Sequence, residues 1–184
     1  MSDVDPLDVL SARAGDRDAF DRLAMGVVDR LYRIARLILR DTERAEDATQ
    51  ETLVRCWRDL PSLRDPGAFD AWLHRLLMRA ITDEFRAASR ARSAIAVLRL
   101  EPTARDSTED VLLREQLDRG FRRLTLEHRA VLVLRLYLGL SLDETASTLG
   151  IPAGTAKSRL HYAMAAMRTA LEADARPPIR EVSA

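Results

Sequence analysis

The stretch SLDETASTLGIPAGTAKSRLHYAMAAMR, residues 141–168, decides how the C-terminal part of this chain folds. Ser141 followed three residues later by Glu144 makes a capping box, which predicts a helix beginning at Leu142. That helix is short: small Ala146 lies in its middle, Leu149 at its end, and Gly150 is free to take the left-handed conformation that stops it. Ile151 and Pro152 lead into a second helix with Ala156, Leu160, Ala163 and Met167 on one face. A short helix, a glycine turn and a longer helix make a helix-turn-helix, in which Ala146 lets the two helices pack closely. At about 100° per residue, the opposite face of the second helix carries Gly154, Lys157, Ser158, His161, Tyr162, Ala165 and Arg168. Donors on a projecting helix suit base edges and phosphates in a major groove. The plainer alternative is a pair of surface helices in a bundle.

Helical periodicity also dominates upstream, and no strand alternation stands out. A first block runs from about Asp18 to about Arg92, where Phe20, Leu23, Val27, Leu31, Ile34 and Ile38 keep helical spacing. Asp41 or Thr42 caps a second helix whose apolar side is Ala45, Ala48, Thr52, Cys56, Trp57 and Leu60. Pro61 to Gly67 (PSLRDPG) is a turn by its prolines and glycine. A third helix from about Ala68 places Phe69, Leu73, Leu76, Ala80 and Ala87 on one face, and three such helices close a core. From Ser93 to about Asp110 the pattern weakens, and EPTARDSTED reads as a linker. A second block, Val111 to Ala173, holds one or two helices ahead of the helix-turn-helix, with Val131, Leu132, Leu134, Leu136 and Leu138 as its core. The tail from 174 to 184 reads as disordered. The expected fold class is all-α: two small helical domains, 1–92 and 111–173, joined by a flexible linker at 93–110, the C-terminal one containing the helix-turn-helix.

The chain is 47% hydrophobic and 32% charged, enough for real cores and for solubility. Its formal net charge is zero, so the distribution of charge bears on nucleic-acid binding. Through Arg92 there are 16 basic and 17 acidic residues, from Ser93 to Gly120 4 and 6, and from Phe121 onward 9 and 6. The basic surplus accompanies the helix-turn-helix. Cys56 is the only cysteine, which excludes an intramolecular disulfide and a thiolate zinc cluster; it reads as a buried small hydrophobe. The acidic start MSDVDPLD is no signal peptide, and no apolar run approaches the ~20 residues that cross a bilayer, so a cytoplasmic protein is expected. His74, His128 and His161 do not make the paired Glu-x-x-His of a di-iron bundle. The sequence also lacks a glycine-rich phosphate loop and a serine nucleophile elbow. No enzyme activity, cofactor, metal or small-molecule substrate is expected.

Two further surfaces are legible in the first block. Arg75, Arg79, Thr82, Arg86 and Arg90, at steps of four, three, four and four, stay within ~60° of one another on the third helix. Trp72 lies one turn before Arg75, and the turn ahead of the helix supplies Arg64, Phe69 and Asp70. Basic side chains beside exposed aromatics suit single-stranded nucleic acid, where bases stack and phosphates are neutralised; a merely solvated charged face has the same pattern. The second helix carries Glu43, Glu46, Asp47, Gln50 and Glu51 on its solvent side, then Arg55 and Arg58. Acids early and bases late complement the helix dipole. The same acids repel DNA and suit a protein partner.

Together these surfaces resemble a known family. RAEDATQETLVRCWRDL (44–60) is similar to the core-polymerase-binding segment of bacterial sigma factors, and AFDAWLHRLLMRAITDEFR (68–86) to their promoter-melting segment. LTLEHRAVLVLRLYLGLSLDETASTLGIPAGTAKSRLHYAMAAMR (124–168) resembles their C-terminal promoter-binding segment. The order and the tether are similar to the extracytoplasmic-function (ECF) group of the sigma-70 family, and the resemblance covers about Ala19 to Leu171. The resemblance implies a subunit that binds core RNA polymerase and directs initiation at particular promoters. Glu46, Asp47, Gln50, Glu51 and Arg55 are expected to dock on the clamp helices of the polymerase. Arg64, Phe69, Asp70, Trp72, Arg75, Arg79, Arg86 and Arg90 are expected to capture melted −10 DNA. Lys157, Ser158, Arg159, His161 and Tyr162 are expected to read or clasp the −35 element. An anti-sigma factor is a further partner the resemblance leaves open, and the linker is expected to thread toward the polymerase active site.

The chain departs from the family pattern at several positions. Ala80 stands where asparagine is frequent, Thr125 where proline is common, Thr145 and Ala156 where isoleucine and valine are common, and Tyr162 where a basic residue is common. The alternative function is a helix-turn-helix regulator that is not a polymerase subunit, although the first block lacks the strand–helix alternation of a receiver domain.

Overall fold

Asp5 and Pro6 start a first helix that the periodicity did not announce. The computed structural model of the protein describes residues 4–94 and 117–175. In α1 (Pro6–Arg13) the Asp5 side chain accepts from the Leu7 N–H and proline occupies the first turn, where its missing N–H costs nothing. The helix buries only Val9 and Ala12, too few apolar positions to show a period. Arg13 donates to the carbonyls of Leu63 and Arg64, at 3.1 and 3.3 Å, and so ties α1 to the turn ahead of the third long helix.

The three long helices follow the expected pattern. α2 (Arg17–Leu39) is capped by Asp16 and buries Leu23, Val27, Leu31, Ile34 and Ile38. It ends at Arg40, a non-glycine residue in the left-handed region (φ 60°), which costs about 1 kcal/mol. α3 (Thr42–Asp59) is capped by Asp41, whose carboxylate accepts from the Arg44 N–H. Ala45, Ala48, Thr52 and Cys56 lie in the core, and burial pushes the Cys56 thiol up to about 12, so it stays an inert hydrophobe. Trp57, expected on the apolar side, is 41% exposed and meets Phe20 edge-on. Two short 3-10 turns, Leu60–Ser62 and Pro66–Ala68, precede α4 (Phe69–Ala94). Ala88, rather than the expected Ala87, turns inward there.

The second unit consists of helical residues 117–122, α5 (Leu126–Leu132) with a π-helical turn at Val133–Tyr137, α6 (Leu142–Leu149) and α7 (Ala153–Ala175). Thr125, at the position where proline is common, caps α5 by accepting from the His128 N–H. The π turn inserts an extra residue into the helical register. This corrects one expectation: Val131, Leu132 and Leu134 are buried, but Leu136 is 63% exposed, because the bulge rotates it out of the core. Gly120 lies against Met167, its absent Cβ leaving room for the sulfur.

No strand occurs among the described residues, so the all-α class stands. None of the described helices is long and apolar enough to cross a membrane. The expected linker 93–110 falls outside the described residues except for Ser93 and Ala94, which continue α4; residues 176–184 of the expected tail also lie outside.

The two units are not independent in this structure. Leu126, Ala130, Val133 and Leu134 join the buried cluster of α1 to α4. α5 packs against α2, and α6 against α4.

Within the second unit Thr145 is fully buried and its Oγ1 has no hydrogen-bond partner. A buried hydroxyl without a partner costs about 1–3 kcal/mol. Thr145→Val should therefore raise unfolding free energy by about 1 kcal/mol, measured by urea denaturation of the whole chain; unchanged or lower stability would mean that the hydroxyl is satisfied.

Candidate nucleic-acid and protein interfaces

The helix-turn-helix forms as its residues require. Ser141 accepts from the Glu144 N–H at 3.2 Å, and Glu144 accepts from the Ser141 N–H at 2.7 Å, closing the capping box. The Glu144 carboxyl is held below its usual range by the Ser141 hydroxyl and backbone. Gly150 ends α6 at φ 65°. On α7, Ala156, Ala163 and Ala170 are fully or nearly fully buried. Lys157, Ser158, His161 and Tyr162 are exposed, and Arg159 is half-buried at the edge of that face. Tyr162 is 62% exposed and packs edge-on against His161. Ser158 donates back to the Gly154 carbonyl at 2.9 Å, which leaves the oxygen free to accept. Side chains at 157, 158, 161 and 162 thus share one open helical face, the geometry a major groove accepts.

On α4, Arg79, Arg86 and Arg90 are exposed and Arg75 is half-buried. None of Arg75, Arg79 and Arg86 forms an ion pair among the described residues, whereas Arg22, Arg30, Arg40, Arg44, Arg55 and Arg122 are all paired. An unpaired row of guanidiniums is an anion-binding surface rather than a self-neutralised one.

The turn ahead of α4 departs from expectation at Phe69, which is only 3% exposed. It begins the buried face of α4, so it cannot stack on a base. Its ring lies 6.1 Å from that of Trp72, which is half-buried beside it. Trp72 thus offers the aromatic surface and Phe69 supports it. Asp70 is paired with Arg30, while Arg64 is exposed. Beneath this corner His74 is buried; burial first, then the nearby Arg30, pushes it down to about 4, so it is neutral at physiological pH.

The acidic face of α3 meets α4 in a groove lined by Asp47, Gln50, Glu51, Val54, Asp83 and Glu84. Glu46, also on α3, is exposed but does not line the groove. Arg55 is the groove's internal tie rather than a free cation: it donates to Glu51 at 2.7 Å and to Asp83 at 2.9 Å. Burial and the neighbouring Asp47 hold the Glu84 carboxyl above its usual range, a sign of concentrated negative charge. Asp83 and Glu84 were not singled out from sequence, since only the packing of α3 on α4 brings them to the acids of α3. Val54, 59% exposed, gives the groove an apolar element.

A second cleft, of about 340 Å³, separates the arginine row from the C-terminal unit. Arg75, Arg79 and Arg86 form one wall, and Ser147, Thr148, Leu149 and Gly150, the end of α6 and its turn, form the other.

The fold is thus a helical protein with a helix-turn-helix and three distinct surfaces: an acidic groove on α3 and α4, an arginine row on α4 and an open polar face on α7. The sequence matches Sigma-70 region 2 over residues 23–91 and Sigma-70 region 4 over residues 120–169. It is 38% identical over 152 residues to the ECF RNA polymerase sigma factor SigM of Mycobacterium tuberculosis, covering 83% of this chain and 76% of SigM. It is also 38% identical over 148 residues to SigL of the same species, covering 77% and 82%. Among solved structures, CnrH in complex with the cytosolic domain of CnrY superposes with a TM-score of 0.66 at 26% identity, covering 94% of this chain and 99% of CnrH. The sigma factor RpoE, in complex with the anti-sigma factor NepR from Bartonella quintana, gives a TM-score of 0.66 at 22% identity, covering 84% of this chain and 98% of RpoE, a likeness of fold. The chain belongs to the ECF group of sigma-70 RNA polymerase sigma factors.

Proposed function

We propose a division of labour among the three surfaces of this sigma factor. The acidic groove of α3 and α4, with Glu46, Asp47, Gln50 and Glu51, docks on core RNA polymerase, and Arg55 fixes its shape. Trp72 and the arginines at 75, 79, 86 and 90, with Arg64 and Asp70 at the turn, hold the melted −10 strand. Lys157, Ser158, His161 and Tyr162, flanked by Arg159, contact the −35 duplex. The unpaired arginines of α4 carry this reading, since a structural role would pair them as it pairs Arg55. The chain acts in the cytoplasm with no chemistry of its own; the polymerase makes the bonds. Residues 1–92 and 111–173 serve as its two functional segments, joined through 93–110. RpoE is bound by an anti-sigma factor, and a protein of that kind is a fitting partner here.

The test is to map the 5′ ends of RNA made by core polymerase with and without the chain. New starts sharing spaced −35 and −10 elements are expected; changed yields at existing starts alone would favour an ordinary helix-turn-helix regulator. Lys157→Ala should weaken duplex −35 binding and lower the slope of log K against log salt by about one. Ser158→Ala should instead shift sequence preference. Unaltered binding and preference in both variants would remove α7 as the reader.

A further inference from the structure

We propose that α7 recognises its duplex through thymine methyl groups, with the Tyr162 ring as the specificity-determining contact and His161 as the residue that positions it. This rests on the assignment of α7 to the −35 duplex and names what that face reads there. Lys157 and Arg168 mark the ends of the face. Both are exposed, and they lie on the same side of the helix, about 16 Å apart along its axis. The major groove is about 12 Å wide, so cations at this spacing meet phosphates at its edges while the residues between them meet the bases. Those residues are Ser158, His161, Tyr162 and Ala165, all exposed and none of them a permanent charge.

The chemistry of the middle of the face decides what it can discriminate. Guanine is read in the major groove by the donors of arginine or lysine, and adenine by the donor and acceptor of an asparagine or glutamine amide. No such side chain stands between Lys157 and Arg168 on this face. Ser158 gives its hydrogen to the Gly154 carbonyl at 2.9 Å, so its oxygen offers only an acceptor, which fits an adenine or a cytosine amino group alike. What remains is the C5 methyl of thymine, which takes apolar contact. Tyr162 supplies the apolar surface. It is 62% exposed, and the His161 ring meets its ring edge-on, with centroids 5.6 Å apart and planes at 71°, a geometry that aromatic pairs favour. That contact narrows the orientations open to the tyrosine, so ordering it on DNA costs less rotamer freedom. Ala165, one turn on, is small enough to let the base edge approach.

Deoxyuridine in place of thymidine removes this methyl and leaves the hydrogen-bonding edge of the base unchanged. Promoter fragments found by start mapping, with either thymidine or deoxyuridine throughout the −35 element, compete for core polymerase carrying the full chain. The thymidine fragment should win by about fourfold for each methyl contacted. Tyr162→Ala should weaken binding of the thymidine fragment and abolish the preference, whereas Tyr162→Phe should keep it, since only the ring is needed. His161→Ala should lower the preference and His161→Phe restore it. Both side chains are exposed, so helical content should not change in any of these variants. Equal binding of the two fragments by the unmodified chain would overturn methyl recognition, as would a −35 element without A·T pairs or a Tyr162→Ala variant that keeps the full preference. An undiminished preference in His161→Ala would overturn the positioning role. Lys157→Ala separates this inference from the reading it rests on. Weaker binding of both fragments keeps α7 as the duplex reader whatever the fate of methyl recognition, and if neither Lys157→Ala nor Tyr162→Ala weakens binding, α7 is removed as the reader and methyl recognition goes with it.

Discussion

Asp47→Arg combined with Glu51→Arg abolishes co-purification with core RNA polymerase while helical content is retained. The two substitutions change the charge by four units in a groove that Asp83 and Glu84 also line. Like charges set against each other across an interface cost several kcal/mol, so affinity should fall by at least about 100-fold, or some 2.7 kcal/mol. Fold stability is little affected. Asp47 is exposed, and the i,i+4 pair of Glu51 with Arg55 at the surface is worth only about 0.3–0.5 kcal/mol. Because Glu51 also orients Arg55, Glu46→Arg with Asp47→Arg is the companion variant that leaves the tie intact. It should lose polymerase as well; retention by both variants would move the docking surface off α3.

Much of this arrangement was legible before the structure because it depends on local rules. Ser141, Glu144 and Gly150 punctuate the helix-turn-helix through contacts spanning a few residues, and the spacing of Lys157, Ser158 and His161 fixes a face whatever else packs nearby. The arginine row on α4 is likewise a property of one helix. What escaped the sequence was what depends on two elements at once. Phe69 and Trp72 are both aromatic residues near a turn, and only the packing of α4 decides that one is buried in the core and the other lies half-buried at its edge. Leu136 continued an apolar pattern that the π turn breaks, and no residue in Val133–Tyr137 is a signal for such a turn. Asp83 and Glu84 became part of the acidic groove through α3, and α6 came to lie against α4 by packing between elements far apart in the chain. The short α1 showed a cap but no period, since two buried residues make none.

Arg79→Ala with Arg86→Ala leaves binding to core polymerase and to duplex −35 DNA intact and abolishes opening of the −10 region, followed by permanganate reactivity of unpaired thymines. Both side chains are exposed and unpaired among the described residues, so their loss removes no contact that supports the fold, and surface changes of this kind stay within about 0.5 kcal/mol. Extruding a base costs a few kcal/mol in unstacking, which stacking on Trp72 and phosphate contacts from the row must offset. With each single-strand phosphate contact contributing about 0.7 to the salt slope, losing two should lower it by about 1.4 for a single-stranded −10 oligonucleotide. A pre-melted bubble, in which the unstacking cost is already met, should restore part of the transcription. If the row were only a solvated face, the double variant would open promoters as well as the unmodified chain. Normal opening with an unchanged salt slope would therefore assign melting to other residues and leave the arginines of α4 without a role in the strand.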